Sequence, residues 1–417
     1  MKLLNFLNKR KTLRNGIIFS FFSMLNNGIS FILLLYIAKY ISPSGYGQVN
    51  LFNTFTMLFS FLICLNSRGI IAIDFFKYTK KETIQNINCI SLITIFIYLF
   101  FLCIEFSPFN NLEKYIGLST DLQLIALSVC FCQVFFNITL DIWRLEEKPF
   151  KYGLYTTLFA ILNFVITIIF VIGLQLDWKG RIYAQILISI LFFISSLYIL
   201  FHKGYITNIL PYIKTLKAIL NFGIPLIPHN ATIWIRQGLD RYFINYYYTS
   251  SLVGLFSFSL NFANIIQIFG IAFNATNSVF IYKILSNPPE NAKELLRKQT
   301  LTIAILFISI TIITIVSTIF FIPNLFPQYS ESIKYIVPQC LGALFQCIYL
   351  LFVDYIFFYK KNRMLMNITF CVSIIHAFFS FLLTQYSIFF TVYIGMISNF
   401  MIAMCVYLYS RKLYKII

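Results

Sequence analysis

Three charged side chains, Arg236, Asp240 and Arg241, lie in the stretch WIRQGLDR at 234–241, inside an otherwise apolar run. The i, i+4 spacing puts Arg236 and Asp240 on one helix face, where they are expected to pair. Arg241 falls about 100° further round and is left over. A charge at mid-bilayer costs about 2.5–3.5 kcal/mol. One ion pair offsets much of that cost, but for one arginine only. An arginine left over in a wet cavity binds anions, and its planar fork matches two phosphate oxygens at once. Arg68, near the inner end of the second apolar run, is a further candidate, with a plainer role as a topology anchor. His229 follows Pro228 on the same stretch as the three charges. It is a candidate for charge pairing or coupling, although a lone histidine is more often structural, as His376 is read to be.

The elements that must hold these residues follow from composition. The 417 residues are 59% hydrophobic and 11% charged, with a mean hydropathy of +0.81. Soluble domains carry about 25% charged residues. So much apolar surface requires lipid as solvent, and the chain reads as an all-α integral membrane protein. Apolar runs at 15–38, 48–67, 87–106, 122–141, 152–172, 182–201, 218–246, 253–281, 299–322, 334–358, 365–384 and 388–409 make twelve transmembrane helices. They are continuous rather than alternating, which excludes a β-barrel. The run at 218–246 is longer than a bilayer needs and contains Pro225 and Pro228. Each proline removes a backbone donor, so this helix is expected to be broken where it lines a cavity.

Lys and Arg orient the helices. With the N-terminus in the cytoplasm, the inside segments hold 25 of the 32 basic residues, among them Lys2, Lys9, Arg10, Lys11 and Lys415. The outside segments hold five: Lys39, Lys114, Lys179, Arg181 and Lys334. The remaining two are Arg236 and Arg241, within the membrane. Such a bias places both termini in the cytoplasm. The net charge of +18 is therefore a record of topology, and nucleic acid is not an expected partner.

The chain repeats itself. Ser44 and Gly47 recur as Ser251 and Gly254, and Gln133 and Asp141 recur as Gln346 and Asp354. The halves, 1–207 and 208–417, each hold six helices and form two pseudo-symmetric lobes around a central cavity, as parallel repeats. No loop is long, and the longest outside connector lies near 107–121. No HExxH, GxSxG, P-loop or mid-membrane acid pair is present, so no catalytic residue, cofactor or metal is expected and the chain is not read as an enzyme. The nine cysteines have no metal-ligand spacing and read as small hydrophobes.

The segments LLYIAKYISPSGYGQVNLFNTF, SRGI, WRLEEKPFKYG and LKAILNFGIPLIPHNATIWIRQGLDRYFINYYYTSSLVGLFSFS resemble Wzx-type O-antigen flippases. These belong to the multidrug/oligosaccharidyl-lipid/polysaccharide exporter superfamily. The resemblance covers essentially the full chain and is most specific in the last of these segments. It implies twelve helices in two lobes and a cationic lumen, in agreement with Arg236 and Arg241. It also implies translocation of undecaprenyl-diphosphate-linked oligosaccharide (O-antigen or a related surface polysaccharide) to the periplasmic leaflet of the bacterial cytoplasmic (inner) membrane. Expected partners are then the lipid-linked oligosaccharide, the bilayer, H+ or Na+ as coupling ion, and polysaccharide polymerase machinery. Two alternatives stay open: a multidrug/cation antiporter of the same superfamily, for which unpaired arginines have the wrong sign, and a membrane-embedded polysaccharide polymerase, for which the outer loops are short.

Overall fold

The computed structural model describes residues 2–77, 79–107, 112–207 and 212–414, with side chains from Arg14 onward. The side chains of Lys2, Lys9, Arg10 and Lys11, residues 108–111 of the expected outside connector, and Lys415 lie outside the described residues. The described residues are almost wholly helical and contain no strand. Close packing divides the chain into two units, Met1–Asn230 and Ala231–Ile417.

The first unit contains α1 (Lys2–Ala38), α2 (Pro43–Leu62), α3 (Lys80–Glu105), α4 (Thr120–Leu145), α5 (Pro149–Ile168, prolonged by a π turn at Ile169–Gly173) and α6 (Asp177–His202). It also takes the first part of α7, the broken helix that runs over 213–247. The second unit holds the rest of α7, then α8 (Ser250–Ser286), α9 (Ala292–Leu325), α10 (Ile333–Phe358), α11 (Asn362–Thr384) and α12 (Ile388–Leu413).

Among the described residues, ten helices are long and apolar enough to cross a membrane. The two expected spans outside that set, 48–67 and 218–246, are helical but irregular. α2 starts earlier and ends earlier than expected. Ser42 caps it by accepting from the Gly45 N–H at 3.2 Å, and Pro43 fills the first position, where a missing N–H does no harm. Its end is set by Leu65 and Asn66, both at positive φ, with the Asn66 N–H bonded back to the Phe61 carbonyl at 2.9 Å. Asn50 and Thr54 lower the helix's apolarity but are satisfied by the carbonyls one turn back. α7 breaks at Pro225, as expected, continues as helix through Pro228, and breaks again where no proline stands. A 3-10 turn at Ile224–Leu226 contains Pro225, and a π turn at Ile235–Leu239 follows Ile227–Trp234.

The repeat is built into the helix ends. Thr249 caps α8 by accepting from the Leu252 N–H, 207 positions after Ser42 and Gly45. α10 begins and ends 213 positions after α4. Within each unit the same packing order recurs: α1 on α5, α2 on α4 and α4 on α6 in the first; α7 on α11, α8 on α10 and α10 on α12 in the second. α4 is an interior helix, with Phe136, Leu140 and Trp143 packed against Ile188 and Phe192 of α6. Outward-facing Phe96, Leu154, Ile312 and Phe320 are exposed, which suits lipid and would not suit water.

Candidate functional site

In the first unit Arg68, Asp141 and Arg144 form one cluster. Arg68 Nε lies 2.8 Å from Asp141 Oδ2, and Arg144 Nη2 lies 2.9 Å from Asp141 Oδ1. Asp141 and Arg144 share a face at the end of α4 by their i, i+3 spacing. Arg68 arrives from the turn after α2. That turn is held by close approach of α7: a Cβ on Gly223 would stand 2.2 Å from the Leu65 carbonyl oxygen. Two guanidiniums against one carboxylate leave one positive charge in excess. Arg68 commits Nε to Asp141, which leaves the terminal nitrogens of its fork for another acceptor.

These groups line a cavity of about 500 Å3, with Asn66, Asn137, His229 and Asn230. Asn230 Nδ2 donates to Asn66 Oδ1 at 2.8 Å, which ties α7 to the same turn. The cavity thus combines a residual cation with amide donors and acceptors, a surface suited to phosphate oxygens and sugar hydroxyls. Two residues expected from sequence, Arg68 and His229, are brought together here.

The other three expected residues lie in the second unit. Arg236 and Asp240 do not pair. The π turn at Ile235–Leu239 separates them, so α-helical i, i+4 register does not apply. Asp240 accepts instead from Ser380 Oγ at 2.6 Å, and its Oδ1 lies 3.1 Å from His376 Nε2. His376 Nδ1 lies 3.0 Å from Ser398 Oγ. Two turns on, Thr384 and Thr391 join hydroxyls at 2.7 Å. A buried polar string thus runs between α7, α11 and α12. His376, read from sequence as structural, is the buried partner of the candidate carboxylate. Their separation of 136 positions left no local signal.

Arg241 Nε donates to Ser257 Oγ at 3.0 Å, and its Nη1 donates to the Gln237 carbonyl, which the π turn brings within reach. Arg236 reaches Asn399 Oδ1 only at 3.5 Å, and its buried Nε makes no hydrogen bond. Arg236 forms no ion pair with a carboxylate among the described residues. Its one hydrogen-bond partner is a neutral amide, so its buried charge is met by no carboxylate among the described residues.

A family model described as polysaccharide biosynthesis protein matches residues 12–280. The chain belongs to this family. Two proteins of Haemophilus influenzae are similar along most of their length. The Lsg locus putative protein 1 is 24% identical over 408 residues, 97% of this chain and 99% of that one. An uncharacterized membrane protein is 26% identical over 347 residues, 82% of each chain. The fold matches that of the lipid II flippase MurJ in its inward closed conformation, with a TM-score of 0.73, 16% identity, and coverage of 95% of this chain and 87% of that one. It also matches an inward-facing MATE family multidrug resistance transporter of the MOP superfamily, with a TM-score of 0.72, 15% identity, and coverage of 96% and 98%. At these identities the likeness is one of fold. Family and fold together make this a polytopic membrane protein of the polysaccharide biosynthesis family, with the fold shared by MurJ and MATE transporters.

Proposed function

We propose that the chain moves undecaprenyl-diphosphate-linked oligosaccharide from the cytoplasmic to the periplasmic leaflet of a bacterial inner membrane. The cavity bearing Arg68 and Arg144 carries this reading, because its one surplus positive charge and its amide lining suit a diphosphate joined to sugar. Arg236, which forms no ion pair among the described residues, and Arg241 extend the cationic path in this reading. The sugar head is too polar for lipid and passes through the protein, built as two lobes, 1–207 and 208–417, while the prenyl tail stays in the bilayer. Both termini are cytoplasmic. The lobes alternate between inward-open and outward-open states.

Movement of an anionic head group outward is favoured when the cytoplasm is negative, by about 2.3 kcal/mol per charge per 100 mV. Asp240 and His376 share one hydrogen bond in a buried polar string, which makes them the proposed site for a coupling H+; Na+ is the other candidate ion. Contact with polysaccharide polymerase machinery belongs to the same reading. A cationic-drug extruder is disfavoured by the surplus positive charge of the Arg68–Asp141–Arg144 cluster.

The experiment is genetic. Deletion of the gene should abolish surface polysaccharide and accumulate lipid-linked repeat units with head groups shielded in the cytoplasmic leaflet. Unshielded repeat units at the outer leaflet in the deletion strain would contradict the proposal.

A further inference from the structure

Arg181 is an exception to the charge bias, an arginine expected on the outer side, and it lines a second cavity of the first unit. We infer that this cavity is a subsite for an acidic sugar, with Arg181 as the cation that receives its carboxylate. That the sugar belongs to the transported head group rests on the flippase reading.

Arg181 stands in the first turns of α6. Its Nη1 donates to Asn163 Oδ1 at 2.7 Å and to Thr167 Oγ1 at 3.3 Å, both from α5. Both partners are neutral. Its Nε is buried without a hydrogen bond, and Arg181 forms no ion pair among the described residues. Buried charges are normally paired, so a guanidinium held by amide and hydroxyl alone is poised for an anion. Its position is fixed from behind. A Cβ on Gly180 would come within 2.8 Å of the Phe170 carbonyl carbon, so this turn of α6 lies directly against the π turn that ends α5.

The cavity has a volume of about 280 Å3. Its opposite wall is α1, where Ser23, Asn26, Asn27 and Ser30 fall on one face at three- and four-residue spacing. Asn26 Nδ2 donates to Thr156 Oγ1 at 2.8 Å, while its Oδ1 is buried with no donor. That oxygen is an acceptor for a hydroxyl. Tyr152 and Phe159 line the same space. A cation, amides, hydroxyls and aromatic rings together match the carboxylate, the hydroxyls and the C–H surface of a uronic-acid ring. Small-molecule sites run from about 300 Å3 upward, so this one has room for a single sugar rather than a chain. A halide would satisfy the arginine but leave the amides and rings without a role.

The test uses the full-length protein in detergent micelles and measures binding of glucuronate, with glucose as the neutral control at constant sodium chloride. A charge-assisted contact is worth about 1.5–3 kcal/mol, so glucuronate should bind at least about 10-fold tighter than glucose. Arg181→Gln should erase that preference, and Arg181→Lys should keep part of it. Asn163→Ala retains the guanidinium and should keep the preference with weaker binding. These last two variants decide the matter if Arg181→Gln does not fold. Equal binding of the two sugars, a preference that survives in Arg181→Gln, or displacement of glucuronate by equimolar chloride would each overturn the subsite. The flippase reading fails separately. If a protein that prefers glucuronate moves no lipid-linked oligosaccharide in vesicles, the subsite stands and its link to the head group falls. If it moves the lipid without preferring glucuronate, only the subsite falls.

Discussion

Asp240 Oδ1 lies 3.1 Å from His376 Nε2, across from α7 to α11, and not in an ion pair with Arg236 four positions before it. This pairing separates the buried polar string from the arginines. The acid and the cations of WIRQGLDR therefore answer to different variants.

Asp240→Asn should leave the protein in the membrane but remove the response of transport to an imposed pH gradient. The readout is transport in vesicles at fixed voltage with and without the gradient. His376→Ala leaves the Asp240 carboxylate one partner short and should lower stability by about 1–3 kcal/mol. An unchanged gradient response in Asp240→Asn would remove this pair from coupling.

Loss of Arg236 should not be rescued by loss of Asp240. Arg236→Ala and the double variant Arg236→Ala/Asp240→Ala should not regain wild-type abundance, because the two side chains do not neutralise one another. Restoration in the double variant would mean that they pair in the membrane. Membrane abundance by immunoblot decides it.

Gly223→Ala should disturb the first cavity from behind. The added methyl meets the Leu65 carbonyl oxygen, a backbone atom that cannot swing away. The expected loss is about 1–3 kcal/mol, seen as a lower melting temperature, with reduced transport because the turn carrying Arg68 shifts.

A pH effect on stability should arise at the loop end of α4. Glu146 Oε2 lies 2.7 Å from Lys148 Nζ and 3.4 Å from Lys203 Nζ, and Tyr205 donates to its Oε1 at 2.9 Å. Burial raises the Glu146 pKa, but these three partners outweigh it and hold the carboxyl below its ordinary value. A depressed carboxyl stabilises the fold above its unfolded value, about 4.3, and loses that contribution as pH falls through the lower folded value. Melting temperature should therefore fall more steeply with acid, below about pH 5, in the wild type than in Glu146→Gln. Parallel curves would contradict this.

Much of the architecture was legible in the sequence because lipid imposes long apolar runs. The caps at Ser42 and Thr249 and the matching ends of α4 and α10 have their traces in the repeated Ser–Gly and Gln–Asp pairs. The helix break at Pro225 was legible from chemistry that acts locally. The π turn at Ile235–Leu239 was not, since no residue there forces an extra residue into the turn. The expected Arg236–Asp240 pair assumed regular α geometry through it. The Asp141 cluster was half visible: Asp141 was noted for its repeat and Arg68 for its charge, but their contact is set by tertiary packing. Arg181 was counted only as an outside cation. Its departure from the charge bias, together with Asn26 and Asn27 in the middle of an apolar span, was the available signal.

In the proposed function, the cationic cavity of Arg68, Asp141 and Arg144 carries the diphosphate head group across the membrane. The most direct test is translocation of undecaprenyl-diphosphate-linked oligosaccharide in proteoliposomes of one orientation, scored by accessibility of the head group to an added lectin under an imposed potential. Wild-type protein should move the lipid faster when the cytoplasmic side is negative. Arg68→Ala should slow it by about 10- to 100-fold, the range for a lost charge-assisted contact of about 1.5–3 kcal/mol, and Arg68→Lys should retain an intermediate rate. Equal rates in wild type and Arg68→Ala, or no movement by either, would contradict the account.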